Sequence, residues 1–207
     1  MDLLLVLSFL GVAIMLTLMP GPDILFVIAQ SISQDKQAGI MTALGLCTGL
    51  LLHITAAVAG LSALIYQSAL VFSIVKYAGA AYLLYLAFQA FRSHQDNLSF
   101  VEQKPVSYRS LYKKGIIMNV LNPKVSLFFL SLLPQFVHQH SGYVAGQMFV
   151  LGFVFLVQAF VIFTCVSLFS DKVGNWIKRH QRLARRIHLV EGALLTLIGI
   201  QVAFSGK

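Results

Sequence analysis

Six runs of apolar residues follow one another along the chain, separated by short polar connections. They cover about 4–29, 39–66, 70–91, 115–137, 144–169 and 187–204. About 20 apolar residues, rising 1.5 Å each, cross the ~30 Å hydrocarbon core of a bilayer. Each run therefore predicts a membrane-spanning helix, with tilt or a kink in the longer ones. Only Gln67-Ser68 separates the second run from the third. The pattern predicts an all-α integral membrane protein whose 207 residues form a single transmembrane domain.

Two runs contain prolines next to a charge. The first holds Pro20-Gly21-Pro22-Asp23, between Leu16-Thr17-Leu18-Met19 and Ile24-Leu25-Phe26-Val27. The fourth holds Asn122-Pro123-Lys124, ahead of Leu127-Phe128-Phe129. A proline inside a helix removes one hydrogen bond and frees a carbonyl. In a membrane such a gap is tolerated where it faces protein or a polar cavity. A charge at that depth costs several kcal/mol and generally marks a transport path. One break carries a carboxylate, the other an ammonium.

Composition agrees with the runs. The chain is 58% apolar and 11% charged, with a mean hydropathy of +0.82, against about 25% charged in soluble domains. Met1-Asp2-Leu3-Leu4 lacks the basic start of a secretory signal, so the first run reads as a retained span. The net charge of +8 does not point to nucleic acid, because the basic residues lie between spans. Lys36 is in the first connection; Arg92, Lys104, Arg109, Lys113 and Lys114 follow span three; Lys172, Lys178, Arg179, Arg182, Arg185 and Arg186 follow span five. These connections share one side of a six-span protein, and the other side has only Lys76 and Lys207. The positive-inside rule then places both termini outside. Cys47 and Cys165 have no C-x-x-C spacing and read as small buried hydrophobes.

The halves resemble each other. Pro22-Asp23 corresponds to Pro123-Lys124, Gly39 and Gly49 to Gly142 and Gly152, and Gly79-Ala80 to Gly192-Ala193. The separations grow along the chain, as loop insertions in a diverged duplication would leave them. Repeat one covers about 1–91, a basic connection 92–114, and repeat two about 115–207. Three spans per repeat make the second inverted relative to the first. Inverted repeats with broken helices meeting near the midplane are the architecture of secondary transporters.

The Pro20-Gly21-Pro22-Asp23 break, the Gly39, Gly45 and Gly49 series, Gly79-Ala80-Ala81-Tyr82-Leu83 and Asn122-Pro123-Lys124 together resemble the LysE-type family. These are small amino-acid exporters of bacterial inner membranes, including a threonine and homoserine efflux branch. The resemblance covers nearly the whole chain. It implies export of small amino acids or related metabolites driven by proton exchange.

Under that reading the zwitterionic substrate meets its complements in Asp23 and Lys124. Asp23 can alternatively carry the coupling proton, since desolvation brings a carboxyl into the titratable range. The bland alternative is a buried ion pair that ties two helices together, which rarely outperforms apolar packing. Pro20, Gly21, Pro22 and Pro123 free backbone groups for ligand contact or merely kink the helices. Asn122 can bond the broken backbone or the substrate, and Asn119, three residues earlier, shares its helix face. His53 and Gln158 are helix–helix hydrogen-bond partners or proton relays. Glu191 reads as an interfacial partner for an arginine, Lys76 as a snorkelling cation, and 178–186 as a lipid-facing basic run. Gly45, Gly49, Gly152 and Gly192 read as close-packing positions.

No motif implies a cofactor or a metal, and the absence of Gly-x-x-x-x-Gly-Lys argues against direct ATP drive. The partners expected are an amino-acid substrate, protons and membrane lipid, with a homo-oligomer left open. A thiol-redox membrane enzyme would want paired cysteines on one segment. A scaffold subunit would have no use for charge at helix breaks.

Overall fold

The structure is a computed structural model that describes residues 2–19, 21–61, 69–92, 106–137, 143–170, 172, 189, 192–193, 195–197, 199–200 and 202–204. Pro20, Glu191, the basic run 178–186, the Gln67-Ser68 connection and part of the expected sixth span lie outside these residues. The described residues are helical, with no strand among them.

α1 (Leu3–Leu18) starts at Asp2, whose carboxylate accepts from the Leu4 N–H. α2 (Pro22–Ser33) begins again after Gly21, with Pro22 at the first helical position, where no N–H is needed. The two meet at 55°. α3 (Lys36–Ala56) is capped by Asp35, which accepts from Ala38 N at 2.7 Å, and runs on into a π-helical turn, Ala57–Leu61. α4 (Ala69–Arg92) occupies the expected third span. α5 (Tyr108–Val120) and α6 (Pro123–Leu127) form the second bent pair. α6 continues through a π turn (Phe128–Leu132) and a 3-10 turn (Leu133–Phe136), and this arm meets α5 at 47°. α7 (Val144–Leu168) is long and unbroken, and an apolar helical stretch, Leu195–Phe204, follows it. Among the described residues, by length and composition, the α3 arm and α7 are each long and apolar enough to cross a membrane, and counting each bent pair as one span brings the number to four.

The fourth run departs from expectation at its N-terminal end. Its helix begins at Tyr108, because the Ser107 hydroxyl accepts from the Ser110 N–H and caps it there. Arg109, Lys113 and Lys114 therefore sit on the first turns of a helix rather than in a connection.

Without a hydrophobic drive between helices in lipid, close approach of backbones holds such bundles together. α3 and α5 meet at Gly45 and Gly115. A methyl on Gly115 would lie 2.6 Å from Thr42 O, and one on Gly45 would strike the Tyr112 carbonyl. α3 meets α7 at Gly152, where a methyl would lie 2.9 Å from the Ile54 side chain. At Gly192 it would lie 2.6 Å from the Phe91 ring. An aromatic cluster of Phe9, Phe128, Phe129, Phe136 and Phe155 fills the space beyond the second break. Cys47 is buried as expected, whereas Cys165 lies on the outer face of α7 among exposed apolar residues such as Val161 and Leu168. A thiol is apolar enough to face lipid as readily as protein, so hydropathy does not decide between the two.

Candidate functional site

The two helix breaks end in one cavity. The chain after α1 turns back into α2 at Gly21, and the chain after α5 turns into α6 at Asn122. Gly21 and Asp23 from the first break, and Asn119, Asn122 and Lys124 from the second, line a common space of about 40 Å³. α3 contributes Leu46, Cys47 and Leu50, α7 contributes Phe155, Ala159 and Phe163, and α1 adds Leu16 and Thr17. At about 10–15 Å³ for one water, this volume holds about three or four.

Asp23 sits in the first turn of α2 and is 8% exposed. The positive end of that helix favours a carboxylate there. Asn119 Nδ2 donates to Asp23 Oδ2 at 2.8 Å, and this bond joins the two broken helices. The side chains of Asn122, Lys124 and His53 lie within electrostatic reach of the same carboxyl. Asp23 Oδ1 makes no hydrogen bond with any described residue.

Lys124 stands in the first turn of α6, a place that favours anions over cations. A methyl on Gly21 would lie 3.6 Å from Lys124 Nζ, so the ammonium reaches across to the opposite break. Asn122 is buried and caps α6, its Oδ1 accepting from Lys124 N at 3.0 Å. Of the two roles open to Asn122, backbone support is occupied by its oxygen.

His53 and Gln158 stand one layer behind the wall. His53 Nε2 bonds the Asn119 carbonyl at 3.0 Å. Gln158 Nε2 donates to Thr17 Oγ1 at 2.9 Å, and Thr17 in turn donates to the Ala13 carbonyl. Thr17 and Cys47 belong to the wall without having been singled out by sequence. The signal for Thr17 was a hydroxyl in an apolar turn just before a Pro-Gly-Pro. Nothing in the sequence marks Cys47. Among the described residues no group of three or more His, Cys, Asp or Glu side chains converges as a metal ion would need.

Apolar helices long enough to span a membrane, two of them bent pairs whose breaks line one cavity, describe a polytopic membrane protein. The chain belongs to the LysE-type translocator family: the family model described as LysE type translocator matches residues 14–206. It is similar over nearly its whole length to proteins of comparable size. One is the homoserine/homoserine lactone efflux protein of Salmonella typhimurium, 30% identical over 196 residues, which cover 95% of this chain and 94% of the relative. An uncharacterized membrane protein of Vibrio cholerae is 29% identical over 204 residues, 98% of each chain. The Bacillus subtilis membrane protein YrhP is 28% identical over 208 residues, 96% of this chain and 98% of the relative. No solved structure matches the chain.

Proposed function

We propose that this protein is a secondary active exporter of amino acids or closely related small metabolites, exchanging them for protons across the bacterial inner membrane. The observation that carries the proposal is the shared cavity. Two half-helix ends, an acid and a base converge there, inside a family of translocators.

Asp23 is the ammonium partner. Homoserine and its lactone, named for the Salmonella relative, both carry an amino group, while the lactone has no free carboxylate. The ammonium is the feature they share. Asp23 Oδ1 has the open acceptor positions for it. Lys124 and the first-turn N–H groups of α2 answer a substrate carboxylate where one is present. Protonation of Asp23 neutralises the ammonium site, so proton and substrate compete for one carboxyl and exchange follows. Gly21, Pro22 and Pro123 set the breaks, and Pro20 belongs to the first by sequence. Asp23 is buried, so loading requires the α1–α2 and α5–α6 arms to part. The same placement of cap, proline and charge in both breaks supports two repeats of three spans, inverted in the membrane. The basic connections support cytoplasmic loops, with both termini outside.

The test is reconstitution. Liposomes loaded with labelled homoserine, or members of an amino-acid panel, should lose label faster when protons are driven inward, and a protonophore should remove the acceleration. Equal efflux with and without the gradient would reject proton exchange. No flux of any panel member would reject the exporter itself.

A further inference from the structure

The carbonyl of Asn119 sits where the proline does its damage. In an unbroken helix it would accept from the N–H of residue 123, four positions on, and residue 123 is a proline with no N–H. Asn122 N reaches the carbonyl instead at 3.0 Å, in the tighter geometry of the break. The second donor comes from another helix. His53 Nε2 on α3 lies 3.0 Å from the same oxygen. A carbonyl only accepts, so the hydrogen in this bond is the imidazole's and Nε2 is the protonated nitrogen.

The surroundings fix this arrangement. The His53 ring lies nearly parallel to that of Phe129, at 19° and 6.2 Å between centroids. Gly49, one turn earlier on α3, receives the Asn119 side chain. A methyl there would lie 2.9 Å from Asn119 Cβ and 2.9 Å from Ile116 O. α3 thus seats Asn119 by backbone and by side chain. The amide so placed is the one that donates to Asp23 Oδ2.

We propose that His53 is a positioning residue of the exporter: it adds a second hydrogen bond to the carbonyl that Pro123 leaves without its helical donor and, with Gly49, aims Asn119 at Asp23. This rests on the transport role of Asp23 proposed above. The alternative, a proton relay through His53, meets a physical obstacle. The Nε2 hydrogen points at an amide carbonyl, which does not pass a proton onward.

The test uses the full chain in proteoliposomes, with two assays of homoserine. One is exchange of internal label for external substrate without a proton gradient, the other gradient-driven efflux. Glutamine can present an N–H near the place of Nε2 but cannot carry a proton. His53→Gln should therefore keep both assays within about twofold of the parent. His53→Ala should raise the half-saturation concentration about tenfold in both. Adding His53→Ala to Asn119→Ala should change it less than about twofold further, because the amide to be aimed is gone. A His53→Gln variant that exchanges normally but loses gradient-driven efflux would overturn the proposal in favour of a relay. Additive losses in the double variant would overturn it as well. If His53→Ala does not accumulate in the membrane, the His53→Gln result decides. A parallel Asp23→Asn variant separates the two readings: normal exchange there would reject the role of Asp23 itself, whatever His53 does.

Discussion

Asp23 and Lys124 occupy the same place in two broken helices. Each is the second residue of its helix, directly after a proline and two residues past a non-helical cap, Gly21 in one case and Asn122 in the other. The charges are opposite, and both residues line one cavity. The two breaks thus bring opposite charges to one cavity.

The α3–α5 contact that holds this site admits no side chain at Gly45, whose methyl would run into the Tyr112 carbonyl. Backbone cannot move aside as a flexible side chain can. Gly45→Ala should cost about 1–3 kcal/mol, read as a lower melting temperature in detergent and less protein in the membrane. Gly11→Ala is the control, because nothing lies within 4 Å of its added methyl. Equal stability of the two variants would disprove the close contact.

Asp35 and Tyr108 link the α2–α3 turn to the start of α5. Tyr108 donates its hydroxyl to Asp35 Oδ2 at 2.7 Å. The Ala38 N–H, helped by the Tyr108 hydroxyl, holds the Asp35 carboxyl below its ordinary range, and the Asp35 bond pushes the Tyr108 phenol up. A lowered carboxyl contributes stability that is complete above the unfolded value of about 3.9 and fades as pH falls through the lower folded value. A raised phenol contributes stability below about 10 that fades as pH rises through the higher folded value. Thermal unfolding of Asp35→Asn should accordingly lag the parent at neutral pH and converge with it in acid. Tyr108→Phe should converge in alkali. Parallel curves across the range would disprove the linkage.

Cys47 offers a reporter in the cavity wall. With Cys165→Ser removing the exposed thiol, a small polar thiol reagent should modify Cys47 slowly, since it is buried. A transported amino acid should slow the reaction further by several-fold. Modification that ignores every transported substrate would separate the cavity from the transport path.

Orientation can be read from two substitutions. Tyr143 is 91% exposed, just ahead of α7, and Arg109 stands in the first turn of α5. In intact cells an impermeant reagent should label Tyr143→Cys and leave Arg109→Cys untouched until the membrane is broken. The opposite pattern would invert the assignment.

The breaks were legible because proline acts through covalent geometry, which no neighbour can override. Pro22 and Pro123 both open helices, as the local sequence demands. The long apolar helices α3 and α7 were legible for a similar reason, since bilayer thickness sets the length a span needs. Facing was not. In a membrane both lipid and protein neighbours are apolar, so hydropathy did not separate exposed Cys165 from buried Cys47 or place Cys47 beside Asp23. The early start of α5 turned on a single Ser107 cap. The bond from His53 to Asn119 depends on the register of α3 against α5, which Gly45 and Gly115 set through contacts far apart in sequence.

The central claim is that the Asp23 carboxylate takes part in transport. Asp23→Asn keeps the shape and most of the hydrogen bonding but removes the charge and the exchangeable proton. In proteoliposomes of equal protein content, this variant should lose proton-driven homoserine efflux while its melting temperature stays close to the parent's. Adding Lys124→Met, which takes away the opposite charge, should not restore it. Full efflux by either the single or the double variant would contradict the account and leave Asp23 as a structural partner of Lys124.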